Sequence, residues 1–261
     1  MLSAEFFCYD NQPMREPWVI AHRGASGHAP ENTMAAFRTA VELGARFIET
    51  DLQVSRDSRF VAIHDATLDR TTNGKGKVSG HTLNQLQQLD AGWWFDRNFA
   101  GERVPTLEEI LAFARAEDVV FFLEIKYENA PLMHSALLEV LRKHDDVGRV
   151  MILCFDPNTL ETLRQMDAST MTGLLVEAAD PDPVGVALKI GARQLCPHAD
   201  LAAPALIERA HQEDLRVATW TVNKAVRMRG AMASGVDGIM TDFPDRLRAV
   251  IEDSRFSKRA V

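Results

Sequence analysis

The chain has 261 residues, 46% of them hydrophobic and 25% charged, and a formal net charge of −8. One α/β domain of this size buries about 75% of its extended-chain surface, so a large core is within reach. No apolar run approaches the ~20 residues of a membrane helix, and no Lys/Arg run marks a nucleic-acid surface, so no stable membrane insertion and no nucleic-acid partner is expected. Any anionic substrate must be met by local cations. The first residues, MLSAEFFCYDNQPMREPW, include early acids and no sustained apolar core. They lack the layout of a secretory signal, so the expected compartment is the cytoplasm. Cys8, Cys154 and Cys196 are too widely spaced for a disulfide framework or a cysteine zinc site; the last two read as core.

Along the chain, β-rich runs alternate with helical patterns. The stretch 18–33, WVIAHRGASGHAPENT, opens with a strand, VIAHR (19–23), whose tip carries His22 and Arg23. Gly24 then allows a close turn, and Asn32 is a candidate cap for a helix starting near Thr33. The next strands are FIETD (47–51), FVAIH (60–64), VVFFLEIK (119–126), VMILCF (150–155), MTGLLV (171–176), RQLCP (193–197), RVATWTV (216–222) and DGIMT (237–241). Repeated strand–helix–strand units near 250 residues favour a closed TIM (β/α)8 barrel over a doubly wound sheet. Nine candidate strands are one more than that barrel holds, and the eight residues LQVSRDSR between the second and third are too few for a crossover helix. If both are parallel, that connection runs extended to the opposite end of the barrel.

The interval from Asp65 to Asp118 is too long for a plain loop and reads as an inserted cap after the third strand. It contains TTNGKGKVSG, a short helical pattern TLNQLQQLD, and AGWWFDRNF. Trp93, Trp94, Phe95 and Phe99 are expected to form its core. The expected organisation is one barrel domain over 17–250 with the cap at about 66–118, an N-terminal tail 1–16 and a C-terminal tail 251–261.

In such a barrel the C-terminal strand ends form the active face. His22 and Arg23, Glu49 and Asp51, His64, and Glu124 and Lys126 all fall there. Residues two apart on a strand share a face, so each acidic pair member points with its neighbour. Carboxylates crowded together repel one another, and an all-oxygen set favours one divalent cation, Mg²⁺ or Ca²⁺. The alternative is a structural network in which the acids merely pair with Arg23 and Lys126. Two histidines at one rim suit proton donation and withdrawal, and a metal with two cations suits a phosphodiester. His198 is a second-tier candidate.

Six ordered segments, HRGASGHAPENTMAAF, FIETDLQVSRD, VAIHDATLDRTTNGKG, FLEIK, VATWTVN and GVDGIMTDFPD, resemble the signatures of the glycerophosphodiester phosphodiesterases. The resemblance runs from about Val19 to Pro244. It implies a TIM barrel with a small insertion after the third strand, and hydrolysis of glycerophosphodiesters to sn-glycerol 3-phosphate and an alcohol, in glycerophospholipid catabolism. It further implies Glu49, Asp51 and Glu124 as metal ligands, His22 and His64 as the acid/base pair, Arg23 and Lys126 as phosphate-binding cations, and Trp220 as an aromatic wall beside the glycerol. Read without the resemblance, Trp220 is core or interface. Two competing expectations are a phospholipase D-like or C-like enzyme acting on lysophospholipids, and a non-catalytic barrel that binds phosphate metabolites.

Overall fold

The computed structural model describes residues 16–126, 131–144, 147–178 and 181–259; residues 1–15 of the expected N-terminal tail, Cys8 included, lie outside them. Its frame is a closed barrel of parallel strands: β1 (Trp18–Ala21), β2 (Phe47–Val54), β4 (Val120–Ile125), β5 (Val150–Cys154), β6 (Met171–Val176), β7 (Gln194–Pro197), β8 (Arg216–Thr219) and β9 (Gly238–Thr241). Closure is made by β1, which pairs with β2 through Ile20 and Phe47 and with β9 through Trp18 and Gly238. Each barrel strand is followed by a helix on the outside: α1 (Met34–Glu42), α3 (Leu107–Glu117), α4 (Pro131–Lys143), α5 (Pro157–Met166), α6 (Pro183–Lys189), α7 (Pro204–Gln212), α8 (Ala225–Ala233) and α9 (Pro244–Arg259).

The two-residue period of the strands sorts the core into two layers. Ile20, Phe47, Phe122, Leu153, Cys196, Ala218 and Met240 fill the barrel. Ile48, Phe121, Leu123, Ile152, Leu195, Val217 and Ile239 face the helices and pack with Phe37 and Leu160. Local sequence fixes the helix starts: Asp156 caps α5 ahead of Pro157, and Thr106 with Glu109 forms a capping box at α3. Cys154 and Cys196 are buried and free, as core cysteines should be.

The surplus strand is β3 (Phe60–Ala62), which pairs antiparallel with β2 through Leu52–Ala62 and Val54–Phe60. Of the nine candidates, the third is thus the one outside the parallel barrel, and the conditional parallel connection does not occur. β2 continues past the rim and turns at Ser58 (φ +59°), where Ser55 binds Asp57 and the Arg59 amide. A short connection closes a hairpin, whereas a parallel crossover needs a dozen or more residues.

The insertion that follows holds its own aliphatic core of Val61, Ile63, Leu68, Val78, Leu86, Ala91 and Val104. It includes α2 (Leu83–Leu86), opened by the capping box Thr82–Gln85. Its aromatics are not that core: Trp93 is 53% and Trp94 38% exposed, and Phe99 packs instead on Ala29, Ala35 and Ala36. α3, inside the expected cap boundary, buries Leu107, Ile110, Leu111 and Ala114 in the main core. The expected C-terminal tail is helical through Arg259, within α9. Among the described residues no helix is long and apolar enough to cross a membrane.

This layout separates two substitutions. Leu86→Ala should lower stability by ~2–5 kcal/mol through loss of contacts and a cavity, while Trp93→Ser should change it by less than about 0.5 kcal/mol. Urea unfolding followed by circular dichroism measures both.

Candidate active site

The inward-facing positions of the barrel lead directly to its mouth. Stepping by two from Ile20, Phe47, Phe122, Leu153, Cys196, Ala218 and Met240 arrives at His22, Glu49 and Asp51, Glu124 and Lys126, Phe155, His198, Trp220 and Asp242. Side chains that would otherwise be core are replaced there by charge, and their contacts run round the ring. His22 meets Asp242, Lys126 meets Glu124 and Asp51, and Lys126 Nζ stands 5.9 Å from the Phe155 ring centre. The Phe155 and His198 rings flank Trp220 at 5.6 and 5.3 Å, and Trp220 Nε1 donates to the Cys196 carbonyl.

Glu49, Asp51 and Glu124 are buried and converge, with one oxygen from each lying within 4.8 Å of the others. Glu49 Oε1 and Asp51 Oδ1 receive no hydrogen bond. Lys126 Nζ lies 2.6 Å from Glu124 Oε1 and 3.4 Å from Asp51 Oδ1. The opposite oxygens are held in place: the Arg23 amide donates to Glu49 Oε2, while Asn32 Nδ2 donates to Asp51 Oδ2 and Arg23 Nε lies 3.3 Å from it. Each of Glu49 and Asp51 thus has one tethered oxygen and one spare. Buried hard oxygens left open in this way fit a divalent cation.

The electrostatics of the cluster are uneven. Burial, reinforced by Asp51 and Glu124, raises Glu49 well above the usual carboxylate range. Burial and Asp51 push Glu124 up to about 7. Burial also pushes Asp51 upward, but Arg23, Lys126, His64 and the Asn32 hydrogen bond outweigh it and hold Asp51 low.

The two histidines are anchored alike by unlike parts of the chain. His22 Nδ1 pairs with Asp242 Oδ1 at 2.7 Å, and Asp242 is itself held by Ser26 and Asn223. His64 Nδ1 pairs with Asp65 Oδ1, also at 2.7 Å. A carboxylate only accepts, so each Nδ1 carries a proton and each neutral ring keeps its lone pair at Nε2. His22 Nε2 lies 4.0 Å from Glu49 Oε2. His64 arrives by the hairpin's return rather than at the end of a barrel strand, level with Asp51, whose carbonyl accepts from the Ile63 amide. Burial lowers the His64 pKa.

The structure brings together all eight residues expected at the site and adds others. Asn32 is not the helix cap; Thr33 is, and Asn32 (φ +57°) uses its side chain on Thr50 and Asp51. Phe155 and Asp242 follow from the inward parity of β5 and β9, a signal present in the sequence. Glu31, Asp65 and Arg70 sit in irregular segments whose pairing no periodicity announces.

A barrel mouth with clustered acids, two anchored imidazoles and two flanking cations defines a phosphodiesterase-type site. Residues 22–246 match the model of the glycerophosphoryl diester phosphodiesterase family. A glycerophosphodiester phosphodiesterase of Caldanaerobacter subterraneus is 39% identical over 231 residues, covering 88% of this chain and 95% of the relative. One from Bacillus subtilis is 33% identical, covering 89% and 85%. Among solved structures, an Oleispira antarctica phosphodiesterase in complex with the product sn-glycerol-3-phosphate superposes with a TM-score of 0.86 at 28% identity, covering 91% of this chain and 97% of that one. The chain belongs to the glycerophosphoryl diester phosphodiesterase family and is a phosphoric diester hydrolase.

The raised carboxyls set a testable pH dependence. Between the unfolded value of 4.5 and about 7, the fold keeps on Glu124 a proton that the unfolded chain has lost, and Glu49 acts in the same direction. The native state then binds more protons, so stability falls as pH rises through that window. Without metal, the thermal midpoint should drop from about pH 5 to about pH 8, and Glu124→Gln should flatten the slope; calorimetric scans across pH check this.

Proposed function

We propose that this enzyme hydrolyses glycerophosphodiesters to sn-glycerol 3-phosphate and an alcohol, using one divalent cation, Mg²⁺ or Ca²⁺, held by Glu49, Asp51 and Glu124. The observation that carries the reading is the buried carboxylate cluster with spare oxygens beside two Nδ1-anchored histidines. The product named for the Oleispira antarctica relative supports the same chemistry. When bound, the cation supplies Lewis-acid stabilisation of charge on the phosphoryl oxygens.

The chain's own residues do the rest. Arg23 and Lys126, each facing Asp51, orient the diester and offset its charge. His22 and His64, each with Nε2 free of the anchoring carboxylate, serve one to withdraw a proton from the attacking oxygen, either water or a neighbouring substrate hydroxyl whose cyclic product water then opens, and one to give a proton to the departing oxygen. Trp220, fixed through its indole N–H, forms the apolar wall for glycerol. Residues 17–250 act as one catalytic domain, in which Thr71, Thr72 and Ala91 of the insertion line a small cavity together with His64. Cytoplasmic turnover of glycerophospholipid headgroup diesters fits this chemistry.

Hydrolysis of glycerophosphocholine, followed by choline release, tests the proposal. His22→Ala and His64→Ala should each cost ~10²–10⁴ in turnover while calorimetric Mg²⁺ binding persists. EDTA should abolish turnover, and Glu49→Gln should lose binding and activity together. A nitrophenyl diester, whose leaving group needs little protonation, should rescue only the variant lacking the acid. Full activity in EDTA, or in both histidine variants, would sink the reading.

A further inference from the structure

The insertion contributes a residue to the catalytic frame. Arg70 makes hydrogen bonds to two different carboxylates: Nε and Nη2 to Asp65 at 2.8 and 3.0 Å, and Nη1 and Nη2 to Glu31 at 2.8 Å each. Asp65 holds His64 Nδ1, and Glu31 accepts from Arg23 Nη1 at 2.8 Å. One guanidinium therefore ties the imidazole that follows β3 to the cation that follows β1. We propose that Arg70 is a positioning residue, fixing His64 through Asp65 and Arg23 through Glu31 so that both meet one substrate in register.

Three features separate this from an ordinary surface ion pair. The geometry is bidentate on both sides, a fork only a planar guanidinium supplies. Arg70 is 44% exposed, but its partners Glu31 and Asp65 are only 13% and 29% exposed, so the network is less screened than an open surface pair. The residues it joins come from separate loops, residues 22–33 and the segment after β3, which Arg70 links directly. Burial alone would push the Glu31 carboxyl up, yet Arg70 and Arg23 hold it low, in keeping with a carboxylate that stays charged between two cations.

The proposal rests on His64 serving in acid–base chemistry, and the test separates the two. Arg70→Met, Asp65→Asn and the double variant are assayed with glycerophosphocholine, with His64→Ala as control. Arg70→Met should lower kcat by ~10–10², the usual cost of losing a supporting partner, with Mg²⁺ affinity by calorimetry unchanged. Arg70→Lys should recover only part of the loss, since an ammonium cannot bridge as a fork. The double variant should lose clearly less than the product of the two single losses, because both changes release the same imidazole, with only the Glu31–Arg23 arm adding to Asp65→Asn. Wild-type kcat in Arg70→Met beside an impaired His64→Ala would overturn this proposal alone, as would losses that multiply in the double variant. A fully active His64→Ala would instead remove the acid–base reading. Should Arg70→Met fail to fold, the cycle of Arg70→Lys with Asp65→Asn reads the same coupling.

Discussion

Three carboxylates packed into one buried mouth is the constraint around which this molecule is arranged. Removing a carboxylate from water costs several kcal/mol unless it is paired, and three together repel. The chain answers by spending cations and donors on one side of each group. Arg23 and Asn32 take the outer oxygens of Glu49 and Asp51, and Lys126 stands by Glu124. That solution reaches into the backbone: Arg23 and Asn32 both adopt left-handed conformations, at φ +58° and +57°. Gly24 between them passes so near α1 that a Cβ would lie 2.6 Å from that of Ala36. Strained backbone of this kind persists only where surrounding structure over-determines it, and here it clusters at the site.

The two histidines show how the fold shares its duties. His22 is anchored by Asp242 at the end of β9, so its position is set by the pairing that closes the barrel. His64 is anchored by Asp65 and set by a hairpin and an insertion that have their own core. One histidine thus belongs to the rigid scaffold and the other to an appended unit. An insertion in that role is part of the site's geometry as well as a wall around it.

Most of the frame was legible because it depends on local periodicity. Alternation by two in IETD and LEIK put Glu49 with Asp51 and Glu124 with Lys126, and the same parity carries on to Phe155 and Asp242. The hairpin was less legible: FVAIH has the composition of a barrel strand, and only the length of LQVSRDSR decides its direction. Asn32 looked like a cap because Asn is a good one; the adjacent Thr33 won that place, and tertiary demand from Asp51 claimed Asn32. The WWF cluster misled for a related reason. Large aromatics signal burial on average, but the insertion is small enough that short aliphatic side chains fill it and two indoles remain outside. Glu31, Asp65 and Arg70 lay beyond reach, since their meeting depends on how two irregular segments fold back.

Charge at the mouth also accounts for substrate preference on the proposed reading. The inner groups are three carboxylates against Arg23 and Lys126, a set with an excess of negative charge in a protein already at −8. Around them, Glu31 and Asp65 share Arg70, and Asp242 holds the His22 ring. Fully ionised, that set would repel a phosphodiester; burial and mutual repulsion raise the pKa values of Glu49 and Glu124, so protons offset part of the charge. On the proposed reading a divalent cation would take the place of those protons, leaving the fully ionised set about one charge positive, the magnitude a diester carries. On that reading the acids that make the site costly to fold are the same groups that would hold the cation, and the cation with Arg23 and Lys126 would receive the anion.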